Sequence, residues 1–168
     1  MATPALMTTP APTTTPAPTT LADLTRRSGL DVLGHLEREV AIPVVDGLQA
    51  QGDLIVVPYA FVARAVIPRN EIWREVPAGG VELLRSAAGG NPHTLVADPG
   101  TCRWTEAVHD TMGLALGVIE TSAVAYLIHP EHGGTGIAPG RYVVRRQRER
   151  DTERIGRLGS LGNRMICD

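Results

Sequence analysis

Lysine is absent from this chain of 168 residues, so all 16 of its basic side chains are arginine. Arginine's planar, always-charged fork suits phosphate and carboxylate recognition, but a GC-rich coding bias gives the same usage, and the abundant alanine and glycine agree with it. Cysteine is scarce. Cys102 and Cys167 lie too far apart in sequence to form a metal-type pair, and a chain of this length buries a core without disulfides. Both are therefore expected to be reduced thiols of a cytoplasmic protein. No apolar run approaches the roughly 20 residues of a bilayer span, and the N-terminus lacks the basic start and apolar stretch of a secretory signal. A membrane partner is not expected. The net charge of -2 offers no broad attraction to nucleic acid. A Gly-x-Ser-x-Gly elbow, a Walker loop and zinc-type cysteine pairs are also missing, which argues against the common hydrolases and nucleotide enzymes.

What is present changes character along the chain. Residues 1–19 are threonine, proline and alanine with few apolar side chains, a composition that favours extended, solvated backbone and predicts a disordered tail. Thr20, with Asp23 three residues on, has the form of a capping box. It predicts a helical segment over residues 20–42, with Leu21 and Leu24 starting an apolar stripe. Ser28-Gly29 interrupts that stripe, and a second helical piece is expected from about Leu30, where Leu30, Leu33, Leu36 and Val40 keep near-helical spacing until Pro43. The stripe needs a partner surface, either the following domain or a second copy of the chain, so homo-oligomer or protein contact through residues 20–40 is an expectation.

From Gln51 the period shortens to two. Leu54–Tyr59 is a β-branched run apolar on both faces, as in a central strand. Strands follow near residues 80–85, 93–97, 102–108, 114–120 and 124–129, separated by turn residues about every ten positions. Residues 60–80 read as a loop or edge excursion in which Trp73 covers one end of the core, while Trp104 points inward. Helical crossovers of the length a parallel sheet requires are absent. The fold expected for residues 49–149 is mainly β: a small antiparallel barrel or roll, closed on itself. Residues 150–168, rich in arginine and glycine, read as a loose tail.

The densest group of chemical side chains lies in residues 124–149. A strand ends at His129, Pro130 and Gly133, Gly134 and Gly136 read as an elaborated turn, and Tyr142 and Val144 restart the alternation. His93, His129 and His132 can supply three imidazoles to zinc or iron, leaving a coordination position open for water or substrate. Glu131 lies at the same bend. The plainer alternative is that His129 and His132 bond backbone groups and fix the turn. In the basic run, Arg141 and Arg145 share one strand face while Arg146, Arg148 and Arg150 share the other. Such an element is expected to run to an edge or into solvent. There it offers a phosphate-binding groove with Tyr142 for stacking, or arginines that deter strand pairing and meet nearby acids.

Three pieces carry a resemblance across residues 49–149: Gln51-Gly-Asp-Leu-Ile-Val-Val-Pro58, Gly90-Asn-Pro-His-Thr-Leu-Val96, and His129-Pro-Glu-His-Gly133 followed by Ala138-Pro-Gly-Arg-Tyr-Val-Val-Arg-Arg-Gln-Arg-Glu149. With them the chain resembles a family of short uncharacterised proteins from bacteria and their phages. The second piece looks like that family's Gly-His-x-His strand with one histidine missing. The resemblance implies a compact β domain and brings no established activity. The histidines and the Pro-Gly turn are also loosely similar to cupin barrels, although His93 lacks the His-x-His partner of the cupin metal pattern.

The function expected from these readings is a small cytoplasmic β-rich binding or structural module, with self-association through its N-terminal helix. The alternatives are a cupin-like metalloenzyme using zinc or iron on His93, His129 and His132, and nucleic-acid binding through the arginine run.

Overall fold

The capping box at Thr20 forms as expected. In the computed structural model, which describes residues 19–69, 72–85, 90–150 and 163–165 (for 148–150 and 163–165, the backbone alone), the Thr20 hydroxyl accepts the Asp23 N–H at 3.1 Å. The Asp23 carboxylate in turn accepts the Thr20 N–H, and the Thr20 hydroxyl and Arg26 hold Asp23 below the usual carboxylate range. Helix α1 runs Leu21–Ser28 and stops at Gly29, whose left-handed backbone (φ 73°) suits glycine and closes a helix terminus. The break expected at Ser28-Gly29 is there, but the second helical piece expected from about Leu30 to residue 42 does not form. Residues 30–42 make turns and extended chain, tied down by Leu33 N–H to the Pro130 carbonyl and Ala22 N–H to the Arg38 carbonyl. Their leucine spacing serves burial without helix: Leu30 and Leu36 pack beside buried Val32 and Ile42. The tail expected over residues 1–19 lies, up to residue 18, outside the described residues, as does Cys167.

The strands are β1 (Val44–Val45), β2 (Gln49–Gln51), β3 (Leu54–Pro58), β4 (Val66–Pro68), β5 (Arg74–Glu75), β6 (Val81–Arg85), β7 (Pro92–Val96), β8 (Cys102–Thr105), β9 (Val108–Asp110), β10 (Ala115–Thr121), β11 (Ala125–His129), β12 (Gly133–Ile137), β13 (Gly140–Arg146), β14 (Arg148–Arg150) and β15 (Asn163–Met165), with a short helix α2 at Tyr59–Val62. They form a five-stranded sheet, β1-β12-β11-β7-β6, and a six-stranded sheet, β2-β3-β13-β10-β8-β5. The protein is mainly β and rich in antiparallel pairs, as expected, but the strands do not close into a barrel. Two open sheets face each other instead. β14 and β15 pair as a separate ribbon, so the segment expected to be a loose tail contains a strand.

Side-chain alternation explains why several strands are apolar throughout. In β11, Ala125 and Leu127 enter the main core between the sheets, whereas Tyr126 and Ile128 face the opposite side and meet Leu21 and Leu24. In β13, Tyr142 and Val144 enter that same core while Val143 turns outward to Val66 and Val118, under α2, β4 and β9. Both sheets are thus covered on two faces, which removes the polar alternation of a half-exposed strand. Trp104 is buried as expected, and a side chain at Gly117 would meet its ring at 2.3 Å. The leucine face of α1 finds its partner inside the same chain, since Leu21 and Leu24 are buried against β7 and β11.

The structure departs from expectation at the glycine-rich stretch and at the arginine-bearing strand that follows it. Residues 133–137 are a strand, not an extended turn, paired antiparallel to β11 and parallel to β1. Glycine is needed there because the chain at 42–44 crosses closely. A Cβ at Gly134 would lie 2.9 Å from Ile42 Cδ1, and one at Gly136 would lie 2.9 Å from Val44 Cγ2. The arginine-bearing β13, expected at an edge, sits between β3 and β10. Arg141 and Arg145 are tolerated there because Glu120 of β10 and Asp110 of β9 meet them, while Arg146 is exposed.

Candidate functional site

The three histidines converge at one end of the space between the sheets. His93 follows the inward parity of Leu95 on β7, and His129 that of Leu127 on β11. His132 sits in the three-residue turn between β11 and β12. Their rings lie close together: His129 stacks on His132 with centroids 4.4 Å apart, His93 is tilted by 32° against His129 at 4.3 Å, and His93 and His132 are 6.2 Å apart. The sequence reading that brought distant His93 to this bend is met in position.

Two residues that the sequence reading passed over complete the corner. Gln51 and Asp53 flank the glycine turn between β2 and β3, and both are buried. The Gln51 amide nitrogen donates to the carbonyls of Leu127 at 3.4 Å and Gly133 at 3.3 Å. That fixes its oxygen toward His93 Nδ1, 3.3 Å away. His93 Nε2 lies 2.7 Å from Asp53 Oδ1, although this oxygen has no aligned hydrogen bond. The two groups lie at ion-pair distance and become an ion pair only when His93 is protonated. Their signal in the sequence was weak, because Gln-Gly-Asp before an apolar run has the composition of any solvated turn.

The second histidine is a turn device. His129 Nδ1 accepts the backbone N–H of Glu131 at 3.2 Å and of His132 at 3.3 Å, while Nε2 faces the Asn91 carbonyl at 3.2 Å. An imidazole accepting at Nδ1 and donating at Nε2 is the neutral tautomer. Glu131 is exposed and accepts the Asn91 side-chain amide at 2.9 Å. Burial pushes the His93 pKa down to about 4, helped by neighbouring His129, against the upward pull of Asp53. His129 is lowered for the same leading reason, burial, and next by His132.

Zinc and iron require ring nitrogens about 2.0–2.1 Å from one point, approached in the plane of each ring. Here the rings present faces to one another, and both nitrogens of His93 and of His129 meet protein atoms. The residues as placed do not fit a three-imidazole metal centre, and no group of three metal-ligating side chains is disposed for one among the described residues.

The arginine run is dispersed. Arg145 pairs with Asp110 at 3.0 Å, its side chain 13% exposed and that of Asp110 3%. Burial pushes the Asp110 carboxyl up, but the N–H groups of Met112, Ala115 and Leu114, with Arg145, outweigh it and hold it below the usual range. Tyr142, expected as a stacking platform, is buried in the core, with its hydroxyl 3.4 Å from Asp46. Its inward parity on an interior strand places it there. Arg141 instead lies over the Tyr59 ring, 4.1 Å from its centroid. Arg146 is exposed, and the side chain of Arg148 lies outside the described residues. Cys102 is buried and free; burial raises its thiol to about 11, so it is held as the unreactive thiol. No helix among the described residues is long and apolar enough to cross a membrane.

Residues 50–147 match a family described as "Domain of unknown function (DUF8820)". No curated protein and no solved structure matches the chain.

Proposed function

This chain belongs to the DUF8820 family, a domain of unknown function, and we propose that it works as a cytoplasmic binding or structural module whose histidine corner is a clasp rather than a catalytic centre. One observation carries the reading: His129 spends Nδ1 on two backbone N–H groups and Nε2 on a third backbone atom. A side chain used in this way fixes the β11–β12 turn. That turn in turn holds the N-terminal segment, through the bond from Leu33 N–H to the Pro130 carbonyl. His93, Asp53 and Gln51 tie the same corner to the opposite sheet, so the clasp joins three parts of the chain distant in sequence.

Elemental analysis of the purified full chain, beside His132→Ala, tests the reading. A metal-free, cooperatively melting protein is expected. Stoichiometric zinc or iron that disappears in His132→Ala would overturn it in favour of a metalloenzyme.

A further inference from the structure

On the outer face of the six-stranded sheet, charged residues of four adjacent strands stand directly opposite one another. Glu75 of β5 faces Arg103 of β8, Arg103 faces Glu120 of β10, and Glu120 faces Arg141 of β13. Strands are spaced about 4.8 Å apart, so this is a continuous row of alternating sign. All four side chains line one open cleft of about 470 Å³. Opposite charges across strands stabilise a sheet, and a convex surface row would need no other explanation. Three features go beyond that.

First, one carboxylate serves two guanidiniums. Glu120 Oε2 accepts Arg103 Nε at 2.8 Å and Nη2 at 2.5 Å, and Oε1 lies 3.2 Å from Arg141 Nε. The terminal nitrogens of Arg141 have no acceptor among the described residues. Second, aromatic rings hold both cations. The Trp73 ring lies 4.8 Å from the Arg103 guanidinium and 5.7 Å from that of Arg141, which also sits 4.1 Å from the Tyr59 ring. A guanidinium held in this way has lost much of its rotational freedom before any ligand arrives, which lowers the entropy lost on binding. Third, the row floors a concavity, the shape in which small ligands are held.

We infer that this cleft binds the oxyanion, carboxylate or phosphate, of a small ligand through the terminal nitrogens of Arg141, whose guanidinium the Tyr59 and Trp73 rings hold in place from outside the cleft lining. The fork of arginine matches the paired oxygens of either group. Glu75 and Glu120 balance the charges of Arg103 and Arg141, so the row attracts no broad field of anions and recognition rests on the directed N–H groups of Arg141. The inference deepens the binding-module reading and rests on it.

Trp73 supplies the readout, because Trp104 is buried in the core. The full chain is titrated with sodium acetate and, separately, with inorganic phosphate, chloride keeping the ionic strength constant. A saturable change in tryptophan emission is expected with at least one anion, and which of the two saturates tells carboxylate from phosphate. Arg141→Gln weakens the response by roughly tenfold or more, whereas Arg146→Gln, exposed on the same strand, leaves it unchanged. Glu120→Gln, which removes the competing carboxylate, strengthens it. Absence of saturation with both anions overturns the inference, as does equal affinity in Arg141→Gln and the unsubstituted chain. Should Arg141→Gln lose its cooperative melt, Glu120→Gln decides: unchanged or weakened affinity there is also fatal. None of these results bears on the metal content that tests the histidine clasp, so the two failures are distinct.

Discussion

His93 Nε2 approaches Asp53 Oδ1 to 2.7 Å, with the two side chains only 2% and 5% exposed. On the opposite side of the ring, Nδ1 faces the amide oxygen of Gln51. Two acceptors therefore flank an imidazole that, when neutral, has one N–H to give. A second proton would satisfy both, but burial opposes the added charge.

Removal of Asp53 tests how much this arrangement stabilises the fold. Asp53→Ala leaves a buried ring N–H of neutral His93 without its acceptor, and a buried donor left unsatisfied in this way costs about 1–3 kcal/mol. Asp53→Asn keeps the shape and a group able to donate or accept, so its loss is expected to be clearly smaller. Urea denaturation of both variants measures the difference. Equal losses would mean that packing, not the polar contact, holds the corner.

Acid is expected to loosen the same corner. The folded-state pKa values of His93 and His129 lie below the ordinary 6.5, that of His93 at about 4. As pH falls the unfolded chain takes up protons before the folded chain does, so stability falls with it. The histidine contribution is fully present above about pH 6.5 and disappears as pH drops toward 4. For His93 alone the loss is roughly 3 kcal/mol. A proton on His129 Nδ1 would also set N–H against the N–H groups of Glu131 and His132, untying the turn. Asp23, Glu82 and Asp110, all held below the usual carboxylate range, add their losses at lower pH still. Urea midpoints compared at about pH 7.5 and about pH 4.5 measure the effect, and a flat profile would refute it.

Neighbouring arginines of β13 should behave differently. Arg145→Gln leaves the Asp110 carboxylate buried without its cation, at a cost of about 3 kcal/mol. Arg146→Gln alters an exposed residue and should change stability by less than about 0.5 kcal/mol. Thermal melts at low and high salt separate them, since a buried pair is screened much less than an exposed charge. A nucleic-acid groove built on both side chains predicts the reverse pattern: little change in stability for either, and weaker salt-sensitive retention for both.

Much of the strand layout could be read in the residues themselves. Leu54–Pro58 lies where its β-branched run placed it, and Val81–Arg85, Pro92–Val96 and Ala125–His129 lie where strands were expected, because β-branched side chains favour a pleated backbone that gives each side chain a definite face. The capping box at Thr20 was legible for a similar reason, being a local bond between near neighbours. Residues 30–42 misled because Leu30, Leu33 and Leu36 have helical spacing, yet they are held by backbone bonds to Pro130 and by packing on the sheet, which no local pattern reveals. The strand at Gly133–Ile137 was hidden because glycine signals a turn unless the close passage of Ile42 and Val44 is known. In the site, His93, His129 and His132 were correctly brought to one place. Gln51 and Asp53 stood out only as the opening of a strand, because the partners of Gln51 lie 42 to 82 residues away.

The parallel pairing of β1 with β12 has a consequence for where this fold can be divided. The family match begins at residue 50, while α1, the turns that follow it and β1 all precede that point. A protein trimmed to the matched segment would lose Leu21, Leu24, Val32 and Ile42 from above Tyr126 and Ile128. It would also leave the glycine strand β12 with one margin bare, a ready template for pairing with another chain. The leading 19–45 stretch is thus the guard rail of the five-stranded sheet, and the homologous region alone would be prone to stick to itself.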